Sequence, residues 1–127
     1  MPFQYTIDAG RSLAKCSAHG VLTLADIEAH QKKLADEPEF KAVGAILWDF
    51  SDAKGFDHSA ARFIEKAEVT FAGKGKRRAL VTSARNEVSK LLHLWVLHRE
   101  VRGDPDVKFF STLERAQAWL DDGRAPT

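Results

Sequence analysis

A chain of 127 residues, 44% hydrophobic and 29% charged, is sized for one globular domain spanning 1–127, whose core needs neither disulfide nor metal support. Its formal net charge of +1 supplies no global attraction to nucleic acid or to an anionic membrane, so electrostatic specificity must be local. The lone Cys16 has no internal partner, no apolar run approaches the ~20 residues of a membrane span, and MPFQYTID lacks the pattern of a secretory signal; a reduced, cytoplasmic protein without stable membrane insertion is expected.

Residues from about Phe3 to Ile7 and from about Ser12 to Ala18 alternate as strands do, and Ala9, Gly10 and Arg11 between them read as a turn. This is an opening antiparallel hairpin, ended by His19 and Gly20. Thr23 is placed to cap a helix with Leu24, Ile27, Gln31 and Leu34 on one stripe and Asp26 near the positive end of its dipole. The helix stops before Pro38, and His30, Lys32 and Lys33 read as part of its solvated side.

Ala45, Ile46, Leu47, Trp48 and Phe50, interrupted by Asp49, suit a strand covered on both faces, and this run is taken as the centre of the sheet. Ser51, Asp52, Lys54 and Gly55 then read as a polar turn, and Asp57, His58 and Ser59 sit where a second helix begins. That helix presents Ala60, Phe63, Ile64, Ala67 and Phe71 before Gly73 ends it. Lys74, Lys76, Arg77 and Arg78 lead into a strand of Ala79, Leu80, Val81 and Thr82. Without interleaved aromatics these four basic residues read as a solvated turn, and no nucleic-acid contact is expected.

A third helix runs from about Asn86 to Val101, with Val88, Leu91, Leu92 and Trp95 on one face. Leu94, Leu97 and Val101 widen its apolar arc beyond what one sheet contact needs. The surplus lies under a neighbouring helix or meets a second subunit, and these three are the candidate contacts of a homodimer. His93 and His98 are five apart rather than four and do not converge on a metal. After Gly103, Asp104 and Pro105, a last strand spans Val107 to Phe110, and Ser111 with Glu114 opens a final helix carrying Leu113, Ala116, Trp119 and Leu120, followed by a frayed tail after Gly123. The order ββαβαβαβα implies a mixed, mostly parallel five-stranded sheet packed with helices, its first strand antiparallel at an edge.

Catalytic patterns are absent: no glycine-rich phosphate loop, no nucleophile elbow, no Cys/His metal spacing and no dinucleotide fingerprint. No catalytic residue, metal or cofactor is expected. Asp49, Asp52, Asp57, His58 and Ser59 invite a triad reading, but neighbours on one turn point in different directions and a triad needs three groups in series. Helix capping accounts for Asp57 and Ser59 without any function.

The same segment carries a family likeness. DFSDAKGFDHSA resembles the strand-loop-helix signature of the SpoIIAA-like (STAS) superfamily, in which a strand ends Asp-Leu-Ser and, after a turn and an apolar residue, Asp-Ser-Ser-Gly opens a helix. Asp49, Phe50 and Ser51 match the first part, Phe56 the apolar position, and Asp57 and Ser59 the acid and the second serine; His58 and Ala60 replace the first serine and the glycine. FFSTLERAQAWL resembles a branch of small stand-alone members related to the CRAL-TRIO lipid-binding fold. The resemblance implies a non-enzymatic regulatory or protein-interaction domain, with Ser59 as the phosphoacceptor of a partner kinase. Its partner-binding surface would comprise Asp49, Ser51, Asp57, His58 and Arg62, and the partner would be a kinase or an anti-sigma-type regulator. The alternative is a carrier of a small apolar or lipid-like molecule, for which three Trp and eight Phe offer lining material.

Overall fold

In a computed structural model, residues 2–65, 76–82, 87–101, 103 and 106–122 are described. β1 (Phe3–Asp8) and β2 (Leu13–Leu22) form the expected hairpin, with Phe3 opposite Ala18 and Asp8 opposite Leu13. The turn between them is a 3-10 segment, Ala9–Arg11, held by the Asp8 carboxylate accepting from the Arg11 N–H. Ser12 follows in the left-handed region at φ 54°, a conformation that costs a non-glycine residue energy unless its surroundings fix it. Here they do. Its Oγ accepts from the Gly44 N–H at 2.7 Å and its carbonyl from the Ala45 N–H at 3.2 Å, which stitches the start of β2 to that of β3 (Ala45–Phe56).

β4 (Arg77–Val81) and β5 (Val107–Phe110) complete one five-stranded sheet in the order β1-β2-β3-β4-β5, parallel except for β1. β3 is the central strand, as the apolar run implied. Because each parallel strand lies beside its predecessor on the same side, crossovers of one hand place their helices on one face. The packing agrees. α1 (Leu24–Ala35), α2 (His58–Glu65) and α3 (Glu87–Val101) share a core with Ile46, Trp48 and Phe50, while the alternate residues Ala45 and Leu47 pack with Ala116 and Leu120 of α4 (Leu113–Asp122). Burial on both faces is why β3 begins as an unbroken apolar run. Each large side chain sealed there contributes roughly 1.5–3 kcal/mol of transfer free energy.

Several expectations shift. The polar turn proposed at Ser51–Gly55 is strand: β3 continues to Phe56, and β2, expected to end near Ala18, continues beside it to Leu22. Register breaks between Ser17 and His19 and between Gly20 and Val21, with Gly20 at φ 77°, disturb the alternation in this half, so its sequence does not read as strand. His30 is not solvated; at 6% exposure it lies in the core beside Ile27 and Leu34. Nor do Arg77 and Arg78 lie in a solvated turn. Arg77 and Arg78 belong to β4, Arg78 is buried, and Arg77 donates to the Trp119 carbonyl at 2.7 Å with its guanidinium 3.9 Å from the Trp119 ring centre. The cap of α4 is Thr112 rather than Ser111, its Oγ1 accepting from the Arg115 N–H, so Glu114 is not a capping-box partner and Leu113 is exposed.

The surplus stripe of α3 is left open in the single chain, with Leu94, Leu97 and Val101 at 36%, 56% and 79% exposure. Among the described residues no helix is long and apolar enough to cross a membrane. Expectations placed on Ala67, Phe71, Gly73, Lys74, Asn86, Asp104, Pro105 and the tail after Gly123 lie outside the described residues.

Candidate functional site

The C-terminal ends of parallel strands, where the chain turns into helices, are the usual location of a site in an open α/β sheet. Here Leu22 of β2 lies opposite Phe56 of β3, and the Asp57 N–H donates to the Leu22 carbonyl at 2.9 Å. The next residues of each strand, Thr23 and Asp57, therefore start α1 and α2 side by side. Both helix starts are capped. Thr23 Oγ1 accepts from the Asp26 N–H at 3.0 Å while Asp26 Oδ2 accepts from the Thr23 N–H at 3.2 Å, a reciprocal capping box.

At α2 the cap is Asp57. Its Oδ1 accepts from the Ala60 N–H at 2.9 Å and from the Ser59 hydroxyl at 2.7 Å, and its carbonyl accepts from the Ala61 N–H. The Ala60 amide first, and then the Ser59 hydroxyl, hold the Asp57 carboxyl below its ordinary range, because both hydrogen bonds favour the ionised form. His58, Ser59 and Arg62 are exposed, Asp57 is half-buried, and Ala60 is sealed beneath them. The result is an exposed hydroxyl at a helix N-terminus, bonded directly to the carboxylate that caps the helix.

The expected partner surface divides. Asp49 and Ser51 are half-buried on β3, Asp49 following Leu47 on the α4 side of the sheet, and Asp49 Oδ1 accepts from the Ser51 N–H at 2.9 Å. Since β3 does not turn after Phe50, Ser51 and Asp57 are separated by roughly 15 Å of strand, allowing for the two register breaks. Asp57, His58, Ser59 and Arg62 share the start of α2; Asp49 and Ser51 do not join them. Ser59 meets Asp57 with no imidazole between them, an arrangement unlike a triad. Among the described residues no group of three or more His, Cys, Asp or Glu side chains is placed to hold a metal ion.

One cluster escaped the sequence reading. His30 stacks on Phe3 with ring centres 4.5 Å apart and meets the edges of Trp48 and Tyr5. Burial, and after it the charge of Lys33, pushes the His30 pKa down to about 4. Beside it the Tyr5 hydroxyl donates to Glu37 Oε1 at 2.6 Å, and this bond, with burial, raises Tyr5 to about 12. The spacing of Ile27, His30 and Leu34, three and then four residues, was the available signal. A hollow of about 1050 Å³ follows the free edge of β1 past Tyr5, His30, Lys33 and Glu37.

No protein-family model matches the chain, and no curated protein matches its sequence. Solved structures do resemble it. An uncharacterized protein of the DUF3478 family with a SpoIIAA-like fold, from Shewanella loihica PV-4, is 21% identical with a TM-score of 0.57, the match covering 93% of each chain. The anti-sigma factor antagonist SpoIIAA in its unphosphorylated form is 17% identical with a TM-score of 0.54, over 94% of this chain and 97% of that one. The strand order, the antiparallel edge strand and the likeness along nearly the whole chain establish a SpoIIAA-like fold.

Proposed function

We propose that this chain is a non-enzymatic, cytoplasmic protein-interaction domain that docks a regulatory partner at the start of α2, with Ser59 as the phosphoacceptor of a partner kinase. The observation that carries the reading is the exposed Ser59 hydroxyl bonded at 2.7 Å to the capping carboxylate of Asp57. Likeness to an anti-sigma factor antagonist described in an unphosphorylated form supports the same reading.

The chemistry of a switch follows from that bond. Esterification removes the hydroxyl hydrogen, so Ser59 can no longer donate to Asp57, and it places close to two negative charges beside an ionised carboxylate. The free amides and dipole of the helix start attract the phosphate, while Asp57 repels it. Relief requires Asp57 to give up its Ala60 amide or the phosphate to project into the docking surface. Either change alters what a partner meets at His58, Ser59 and Arg62.

Incubation with host lysate and ATP, followed by peptide mass spectrometry, tests the switch. A phosphate on Ser59 that is lost in Ser59→Ala is the expected result. A chain unmodified at Ser59 under every growth condition refutes it. Docking itself is tested by retention of a host protein on the immobilised chain that Arg62→Glu abolishes; retention indifferent to Arg62→Glu and His58→Glu removes this surface from consideration.

A further inference from the structure

The open stripe of α3 is flanked by charges that complement a second copy of the same helix. Lys90, Leu94, Leu97 and Val101 follow at intervals of four, three and four residues, which keeps them on one helix face. Leu94 and Leu97 also form one wall of a groove of about 640 Å³ between α3 and β5, whose other side includes Lys108 and Phe109. A spacing of four, three, four reads the same in both directions. It does so for any helix stripe, so the spacing admits a twofold contact without by itself requiring one.

We infer that α3 docks against α3 of a second copy of this chain, antiparallel, about a twofold axis passing between Leu94 and Leu97. This arrangement seats Leu94 on the partner's Leu97, and lays Val101 along the aliphatic stem of the partner's Lys90. The charges lie close to the same axis: Lys90 is 5.5 residues before it and Glu100 4.5 after it, so antiparallel pairing brings the Lys90 ammonium within reach of the partner's Glu100 carboxylate at both ends of the contact. Parallel pairing would set lysine against lysine and glutamate against glutamate. The inference does not depend on the reading of Ser59.

Light scattering over a range of concentrations should report twice the chain mass. Leu97→Glu, at an already exposed position that leaves the circular dichroism spectrum unchanged, should raise the dissociation constant at least about tenfold. Lys90→Glu and Glu100→Lys should each weaken the dimer and, combined in one chain, restore it. Mixed Leu94→Cys and Leu97→Cys chains should cross-link faster under oxidation than either variant alone. A wild-type monomer at every soluble concentration overturns the inference, as does a dimer indifferent to Leu97→Glu. A double charge variant no tighter than the single ones overturns the antiparallel register.

Discussion

His30 makes the stability of this fold depend on pH in a direction that can be worked out in advance. The folded chain holds the imidazole among Phe3, Tyr5 and Trp48 with a pKa of about 4, against an ordinary value of 6.5 once the chain unfolds and the ring meets water. The unfolded chain therefore binds the proton more tightly. Stability is fully present above pH 6.5, drains away as pH falls from 6.5 toward 4, and stays lost below that. At about 1.4 kcal/mol per pH unit, the gap between 6.5 and about 4 is worth about 3 kcal/mol, a large fraction of what a domain of this size has to lose. His30→Phe keeps a flat ring against Phe3 and cannot take the proton. Urea unfolding of both proteins between about pH 7.5 and pH 4, read as wild type minus variant, cancels the carboxylates common to the two. Tyr5 and Cys16, both raised to about 12, stay neutral throughout that range. The variant should gain on the wild type by about 3 kcal/mol across the range, with an unchanged dependence on urea. Parallel stability curves would show that the imidazole is not held neutral in the core, and the reasoning would fail.

Asp57→Ala leaves the Ala60 amide and the Ser59 hydroxyl without their acceptor. It should lower the thermal midpoint by a few degrees and speed amide exchange in the first turn of α2, whereas Asp57→Asn should retain most of the cap; exchange rates unchanged in the alanine variant contradict the assignment. Arg77→Ala removes both the hydrogen bond to the Trp119 carbonyl and the cation over its ring. A loss of about 1–2 kcal/mol is expected in chemical denaturation, and Arg77→Lys should recover only part of it because an ammonium cannot stack. Equal stability of all three proteins would show that the pair contributes nothing.

The order of elements was legible because the chain marks it locally. Alternation in the hairpin, the Thr23 cap, the apolar run at Trp48 and the break at Gly103 are each written within a few consecutive residues. Asp57 and Ser59 were located at a helix start for the same reason. What could not be read locally depends on distant partners. Ser51–Phe56 is strand only because β2 runs on beside it through two register breaks, so Ala53 and Phe56 are buried three residues apart instead of two. The polar residues between them imitate a turn. His30 is in the core because Phe3, contributed by a strand more than twenty residues earlier, supplies a ring to stack on. Arg77 is fixed by Trp119 across 42 positions. A short window of sequence contains one member of each pair and reports it as an ordinary surface residue.

Among the described residues α4 alone covers the second face of the sheet, and this has a bearing on how the chain is made. Leu13, Ala45, Leu47, Ala79 and Val81 form an oily floor whose roof is supplied by Ala116 and Leu120, near the end of the described residues. During synthesis the three earlier helices can settle on their own side while this floor still faces water. A chain that stops before Leu113, or is cut there by a protease, would carry an adhesive underside. Loss of α4 should therefore show itself as aggregation rather than as a soluble, weakened domain.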